Sequence, residues 1–546
     1  MSAVIEERSG PLTKLAARDR EEPTDASRTR SAAGPTAALV GLTAIGATLL
    51  FWLAHRSLID DAYITLAYAR TLADHGDWGM LPGHEANSAT SPLNVLLLGG
   101  LTAIVGDPVA ALGVLYVLTC VALAVGLRGL GQTLGLGYRV AVLGTPLLVA
   151  SPLLGSSIGL ETMLVVAAMT YLASAGARGD ATTAGLVVGV LLWLRLDTVV
   201  VAVVIVLVMP QLRRRLIRIA ALATAVIVPW LLFSWVALDS AIPDTLVIKQ
   251  GEPWGDFATG LSDRYYEPYP SVVTGLLVVG IAGALAALTW PWWGRYDRTA
   301  TSVVPALAVA GAAYFGLMWR LEVPPFFWYY APTLAALTLT ATIGLATLTT
   351  IRFGPEVRAA AATVGGALLV LTLVPWWNGA TSHAPLREMP IHGNWAHPSE
   401  YAEIGRELHA IVGNAPVHSP GEVGALAYFC ECTIVDRFSD RAKLTGAIDE
   451  ARDDSWLYSL NYAGLDTDQL DRIKPRYWLD WRPGPDPSGR GWNTTGIAGG
   501  VRAHGHLVLL DHRPGHTGHR GPGQGDHQRV DAPRSTSDQA RSGSLP

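Results

Sequence analysis

The sequence predicts an α-helical polytopic membrane protein of about eleven transmembrane helices with a C-terminal extracytoplasmic α/β domain, and three observations carry that prediction. Half of the 546 residues are hydrophobic and 16% are charged, where a soluble protein carries roughly a quarter charged residues. The mean hydropathy is +0.31. The apolar residues fall in long blocks close to the ~20 residues that cross a bilayer core, and only the last part of the chain has soluble composition. A net charge of −5 gives no footprint for a nucleic-acid partner.

Residues 1–34 are polar and of mixed charge, and they precede the first apolar block by too many residues for a secretory signal. Residues 1–35 are therefore expected to form a disordered cytoplasmic tail. Spans are expected near 36–54, 108–127, 140–154, 160–176, 181–194, 198–209, 218–238, 271–290, 302–319, 328–350 and 359–376, within a membrane region 36–377. The block "SPLNVLLLGGLTAIVG" (91–106) is short and opens with Ser-Pro, so it is read as interfacial or re-entrant.

Basic residues test this layout. With the N-terminus inside, the inside loops hold Arg128, Arg139, Arg178, Arg213, Arg214, Arg215, Arg218, Arg295, Arg298, Arg352 and Arg358. The outside keeps Arg195, Lys249, Arg264 and Arg320. The bias places loops 55–107 and 239–270, and everything from 378 onward, on the extracytoplasmic side. The pieces 181–194 and 198–209 are short for crossing, and one long helix would bury Arg195 and Asp197 at its middle. A helix broken where it lines a watery cavity accounts for both.

Residues 378–512 are expected to fold as the α/β domain. "PSEYAEIGRELHAIVG" reads as a helix capped by Ser399 with Glu403 in the turn that follows. "GALAYF", "CTIVDRF" and "PRYWLDW" read as short strands. Cys120 lies in an apolar block and reads as packing. Cys430 and Cys432 read either as a disulfide near the upper limit of Cα separation for i, i+2 positions of a strand or as two thiols. Residues 513–546 are expected to be disordered, and His512, His516, His519 and His527 read as low-complexity sequence rather than a metal site.

The chemistry is sought in four polar islands that this topology brings to one face: Asp60-Asp61, "GLET" (159–162), "RLDT" (195–198), and the loop "DSAIPDTLVIKQGEPWGDF" that begins at Asp239. For the aspartates, a helix cap at Asp60 with Asp61 in the first turn competes with a general base for an acceptor hydroxyl, or a divalent-metal pair. Glu161 is a helix-start acid or a cavity residue. Arg195 and Asp197 are an internal ion pair or part of a site. Lys249 is an interfacial lysine or a cation that holds a phosphate as charge develops on a leaving group. An acidic base, a cationic phosphate site and a lipid-accessible cavity together suggest transfer from a lipid-phosphate donor. Proton-coupled transport of lipid-linked sugars uses the same residue types at membrane depth, and an inert scaffold for envelope assembly is the third reading.

These islands resemble the GT-C membrane glycosyltransferases that use polyprenyl-phosphate sugars, and more closely the actinobacterial arabinofuranosyltransferases of the terminal β-(1→2) kind, which act in arabinogalactan and lipoarabinomannan assembly. The resemblance runs from about Asp60 to Asp440. It rests on "DDAYITLAYARTLADHG", "GLET", "RLDT", "IPDTLVIKQG" (242–251) and "GEVGALAYFCECTIVDRFSD", with a strand ending at Asp436. Asp197-Thr198 stands where the family has Glu-Gly, Asp244 where it has Asn, and no Gly-Leu follows Asp436.

The resemblance implies a multi-pass plasma-membrane enzyme with an extracytoplasmic site, a decaprenyl-phosphoryl-arabinose donor and an envelope glycan acceptor. Mannose, or another polyprenyl-phosphate sugar, is the alternative. It implies direct displacement with inversion, Asp60 or Asp61 as base, and Lys249 helped by Arg195 on the donor phosphate. Glu161, Asp197, Asp244 and Thr245 would line the cavity. A divalent cation such as Mg or Mn on Asp60 and Asp61 stays open.

Overall fold

The structure is a computed structural model and describes residues 25–249, 255–293, 300–350, 352–381, 389–486, 491–498 and 501–511. The expected C-terminal tail 513–546, the histidines from His512 onward and residues 1–24 of the expected N-terminal tail lie outside the described residues.

The chain runs as α1 (Asp25–Ala54), α2 (Asp60–His75), α3 (Pro92–Val105), α4 (Pro108–Thr133), α5 (Arg139–Val149), α6 (Pro152–Ser156), α7 (Thr162–Arg178), α8 (Ala181–Leu194), α9 (Val199–Val208), α10 (Pro210–Arg213) and α11 (Leu216–Ala237). It continues as α12 (Thr245–Ile248), α13 (Phe257–Tyr265), α14 (Pro270–Trp293), α15 (Ala300–Arg320), α16 (Ala331–Leu348) and α17 (Pro355–Thr381). The C-terminal unit follows: α18 (Pro398–Val412), β1 (Val417–His418), α19 (Gly424–Cys430), β2 (Ile434–Val435), α20 (Thr445–Asp454), α21 (Trp456–Asn461), β3 (Tyr477–Pro483), β4 (Trp492–Ala498) and β5 (Val501–Asp511).

Among the described residues, seven helices are long and apolar enough to cross a membrane: 34–54, 108–133, 216–237, 270–292, 302–320, 327–348 and 355–381. Five shorter apolar helices (92–105, 139–149, 162–178, 181–194 and 196–208) complete the bundle. Each expected span but one falls on a single helix; 140–154 is divided between α5 and α6 at residues 150–151. The chain is a polytopic membrane protein. Several boundaries move, and α4 runs on to Thr133. Helix α1 starts at Asp25, inside the stretch expected to be a tail, and α17 continues to Thr381. The 91–106 block is a 14-residue helix, α3, packed between α2 and α4. The most extensive helix pairs are α8 with α11, α14 with α16, α4 with α7, and α2 with α3.

The interruption at Arg195 is present. Arg195 leaves helical geometry (φ −158°, ψ 122°) between α8 and a single 3-10 turn, Leu196–Thr198, that leads into α9. A Thr198 hydroxyl donates to the carbonyls of Leu191 (3.0 Å) and Arg195 (2.6 Å). The same two carbonyls also accept from the backbone N–H groups of Arg195 (2.8 Å) and Thr198 (3.1 Å), so the break leaves neither of them bare in an apolar setting.

The C-terminal unit holds one mixed sheet in the order β2-β1-β3-β5-β4, parallel at β2-β1 and β1-β3 and antiparallel at β3-β5 and β5-β4. Two expectations are corrected here and one open alternative is resolved. "GALAYF" is helix α19, because a short apolar run carries no period that separates strand from helix. Helix α18 is capped by His397, not Ser399: the His397 ring accepts from the Ser399 N–H, Pro398 takes the first helical position, and Glu400 reaches back to the His397 N–H (2.8 Å). Of the two readings for the C-x-C pair, the disulfide is present, with Cys430 and Cys432 Cα atoms 5.1 Å apart across the end of α19.

Candidate active site

The aspartate pair divides its work. Helix α2 has Ile59 at its N-cap with no side-chain cap, so neither Asp60 nor Asp61 caps it; both lie in its first turn. Asp60 instead caps a different helix. Its carboxylate accepts from the backbone N–H groups of Val423 (3.2 Å), Gly424 (3.0 Å) and Ala425 (2.7 Å), which open α19. Those N–H groups have no partner inside their own helix, and a carboxylate is the natural acceptor for them. The Asp60 N–H in turn donates to Asn394 Oδ1 (3.0 Å). Burial pushes the Asp60 carboxyl up to about 7, against the pull of the Ala425 N–H and with Asp61 adding to the rise.

This dock explains a glycine. A Cβ on Gly424 would run into the Asp60 carbonyl oxygen and the Ile64 backbone nitrogen, so only glycine lets α2 and α19 approach so closely. A second tight contact lies at the "GLET" island. Gly159 has φ +104°, and a Cβ there would meet the Ala62 methyl. The Gly159 carbonyl accepts from Asn94 (3.0 Å), which fixes the turn that delivers Glu161.

Asp61, one residue on, faces a cavity of about 550 Å³. Glu161, Arg195, Thr245, Lys249 and Tyr329 share its wall, and Tyr68, Ser88 and Phe438 close the side nearest the C-terminal unit. Burial raises the Asp61 pKa, Lys249 pulls it down, and Glu161 pushes it up. Lys249 lies just beyond α12. Burial opposes its charge, but the Tyr329 hydroxyl and Asp61 outweigh that, so its pKa is raised and it stays cationic.

Arg195 is heavily committed. It bonds Glu161 Oε1 through one terminal nitrogen (2.7 Å) and Asp197 Oδ2 through the other (2.5 Å), and its Nε donates to Asp197 Oδ1 (3.0 Å). The Tyr314 hydroxyl adds a bond to Asp197 (3.2 Å). Two carboxylates therefore balance one guanidinium. Among the described residues, Lys249 has no carboxylate at ion-pair distance; its Nζ donates to the Tyr329 hydroxyl at 2.7 Å. The Tyr329 ring also faces Arg195, with the guanidinium carbon 5.0 Å and the Lys249 nitrogen 5.2 Å from its centroid. Both cations thus lie against one aromatic ring.

Asp244 is not at the cavity. It is buried against Arg441 of the C-terminal unit, with Oδ2 3.0 Å from Nε, and its N–H donates to the Asn87 carbonyl at 2.7 Å. Arg441 also donates to the Leu238 carbonyl (2.5 Å) and the Ser240 hydroxyl (2.6 Å). Asp244 therefore anchors the Lys249 loop to the C-terminal unit. Asp436 follows β2 and closes a turn by accepting from the Phe438 N–H (2.8 Å). That turn holds Phe438 at the cavity, where its carbonyl accepts from Ser88 (2.6 Å).

The sequence reading missed Tyr329, Tyr314 and Arg441. The aromatic run "FFWYY" before α16 was the available signal for Tyr329; nothing local marks Arg441 as the partner of Asp244.

A divalent cation on Asp60 and Asp61 would need open carboxylate oxygens from both. Those of Asp60 are taken by three N–H donors, and Glu161 is held by Arg195. The pair does not fit a metal centre as folded. Among the described residues, no three His, Cys, Asp or Glu side chains group as metal ligands.

No protein-family model matches the chain, and no curated protein sequence matches it. Solved structures do match in fold. The apo oligosaccharyltransferase of Archaeoglobus fulgidus aligns with a TM-score of 0.52 at 11% identity, over 82% of this chain and 69% of that one. ArnT from Cupriavidus metallidurans, bound to undecaprenyl phosphate, aligns at 0.48 and 12% identity over 87% and 98% of the two chains. The arabinofuranosyltransferase AftD from Mycobacteria aligns at 0.47 and 15% identity, over 84% of this chain and 36% of that one.

Proposed function

We propose that this chain, which has the GT-C membrane fold, is a membrane glycosyltransferase that moves a sugar from a polyprenyl-phosphate donor to a hydroxyl of an envelope glycan on the extracytoplasmic face. The observation that carries the reading is the placement of one carboxylate and one cation, Asp61 and Lys249, on the wall of the same cavity.

Asp61 takes the proton of the acceptor hydroxyl as its oxygen attacks the anomeric carbon. The bond from that carbon to the phosphate oxygen breaks, and the lipid leaves as its phosphate monoester. Lys249 stabilises the charge gathering on that phosphate, while Arg195, which lies against the same Tyr329 ring, is matched by Glu161 and Asp197 and helps by position rather than by net charge. One displacement with no covalent intermediate inverts the anomeric configuration. The Arg195–Glu161–Asp197 cluster holds the α8–α9 break open beside the cavity, and Thr245 supplies a hydroxyl to its wall. Asp60, Asp244 and Asp436 act at one remove: they hold the C-terminal unit and the Lys249 loop in place, and that unit guides the acceptor.

The sequence resemblance favours arabinofuranose from decaprenyl-phosphoryl-arabinose as the transferred sugar. The test is a cell-free transfer with the purified full-length protein, a synthetic arabinan acceptor, and labelled arabinosyl and mannosyl donors in parallel. A glycoside from the arabinosyl donor alone supports the full reading, and one from the mannosyl donor alone changes the sugar and keeps the reaction class. Recovery of both donors intact contradicts the glycosyltransferase reading.

A further inference from the structure

Helix α21 exposes an apolar face that the C-terminal unit does not use. Trp456 is 72% exposed, and Leu457 and Leu460 are more than half exposed. At 100° per residue the three fall within one ~100° arc, the width of an amphipathic stripe. Tyr462 just beyond the helix is buried, so α21 is anchored at one end while this stripe faces away from the protein.

The stripe continues an apolar surface of the bundle. Helix α11 is long and apolar enough to cross a membrane, with only 22% of its most apolar window buried, and Leu232, Phe233 and Val236 are exposed towards its C-terminal end. Just past that end, the Ile242 N–H donates to Asn461 Oδ1 (2.8 Å), and Asn461 donates back to the Ile242 carbonyl (3.4 Å). These bonds pin α21 to the end of α11. Ile242 and Leu246 are themselves partly exposed and extend the apolar surface between the two helices.

We propose that α21 is an interfacial anchor, its Trp456–Leu457–Leu460 face seated in the headgroup–acyl boundary of the bilayer that α11 crosses. A tryptophan and two leucines on one short helix face suit that boundary. Asp453 and Asp454, exposed immediately before the helix, disfavour an anionic lipid surface, so the anchor is built for zwitterionic headgroups.

The anchor bears on the cavity. Val247 and Ile248 of α12 pack with Leu444, Ile448, Ala451, Tyr462 and Leu465, the core that carries α20 and α21. Lys249 is the next residue, so seating α21 at the boundary sets the depth of Lys249 relative to the lipid phosphates. That consequence rests on the function proposed above; the anchoring itself does not.

The test uses the full-length protein in phosphatidylcholine nanodiscs, with an environment-sensitive fluorophore attached in turn to Leu460→Cys, Trp456→Cys and Ser459→Cys. Cys120 is buried and the other two cysteines form the disulfide, so the new thiol is the one labelled. At positions 460 and 456, nitroxide lipids should quench several-fold more than aqueous iodide. At Ser459, exposed on another side of the helix, iodide should win. Iodide dominating at 460 and 456 would overturn the proposal, and so would shielding from both quenchers, which marks a second chain on this face. No activity is read, so the outcome is independent of the transfer assay.

Discussion

The Asp60 carboxylate accepts a 2.7 Å hydrogen bond from the Ala425 backbone N–H, across 365 positions of sequence. With the Val423 and Gly424 bonds it joins the first turn of α2 to the first turn of α19 and fixes the C-terminal unit over the cavity that Asp61 lines. Two adjacent carboxylates thus meet two different needs: one holds the structure and the other faces the proposed substrate.

Removing the dock should cost stability. Hydrogen bonds to a charged group contribute about 1.5–3 kcal/mol each, and Asp60→Ala leaves three N–H groups without their acceptor. A faster rate of heat inactivation and easier proteolytic release of the C-terminal unit are expected, measured on purified protein beside wild type. Asp61→Asn should match wild type in both.

Gly424→Ala should reproduce the Asp60 phenotype with every side chain of the site intact. The added methyl meets backbone on α2, which cannot rotate away as a side chain could. Limited proteolysis checks this; a wild-type digestion pattern would contradict the close approach.

The Arg195 cluster should behave as a unit. Breaking a buried pair from one side typically costs about 3–5 kcal/mol because a charge is left uncompensated. Arg195→Met leaves Glu161 and Asp197 together and should be strongly destabilising; adding Glu161→Gln should restore part of the loss. The readout is the double-mutant cycle in thermal inactivation, with additivity as the contrary result.

The pH profile carries a sign. Asp61 must be ionised to accept a proton, and its pKa is raised by burial, lowered by Lys249 and raised by Glu161. Transfer should therefore fall away on the acid side while the pH is still above the ordinary carboxylate range. Glu161→Gln removes one of the raising influences and should move that limb to lower pH. An unmoved limb in kcat/KM would mean that another group titrates.

The helical blocks and the break at Arg195 were legible because each depends on local composition: an apolar run reads by length, and Arg-Leu-Asp inside it marks where water must enter. The cavity residues Asp61, Glu161, Arg195, Thr245 and Lys249 were legible as types in polar islands, and the fold brings them to one wall. The division between Asp60 and Asp61 was not, since it is set by backbone donors in α19. The same hidden contact accounts for reading "GALAYF" as strand, as its helix begins where Asp60 caps it. Asp244 looked like a cavity residue for a similar reason: its partner Arg441 lies in a unit whose docking no local pattern encodes.

The measurement closest to the central claim compares Asp61→Asn, Asp60→Asn and wild type in one transfer assay, each protein first shown to be folded by its resistance to proteolysis. Asp61→Asn should retain wild-type protease resistance and form no glycoside. Asp60→Asn should lose resistance, with transfer surviving in the fraction that stays folded. Full transfer by Asp61→Asn, or its loss in fully folded Asp60→Asn alone, would contradict the assignment of Asp61 as the base.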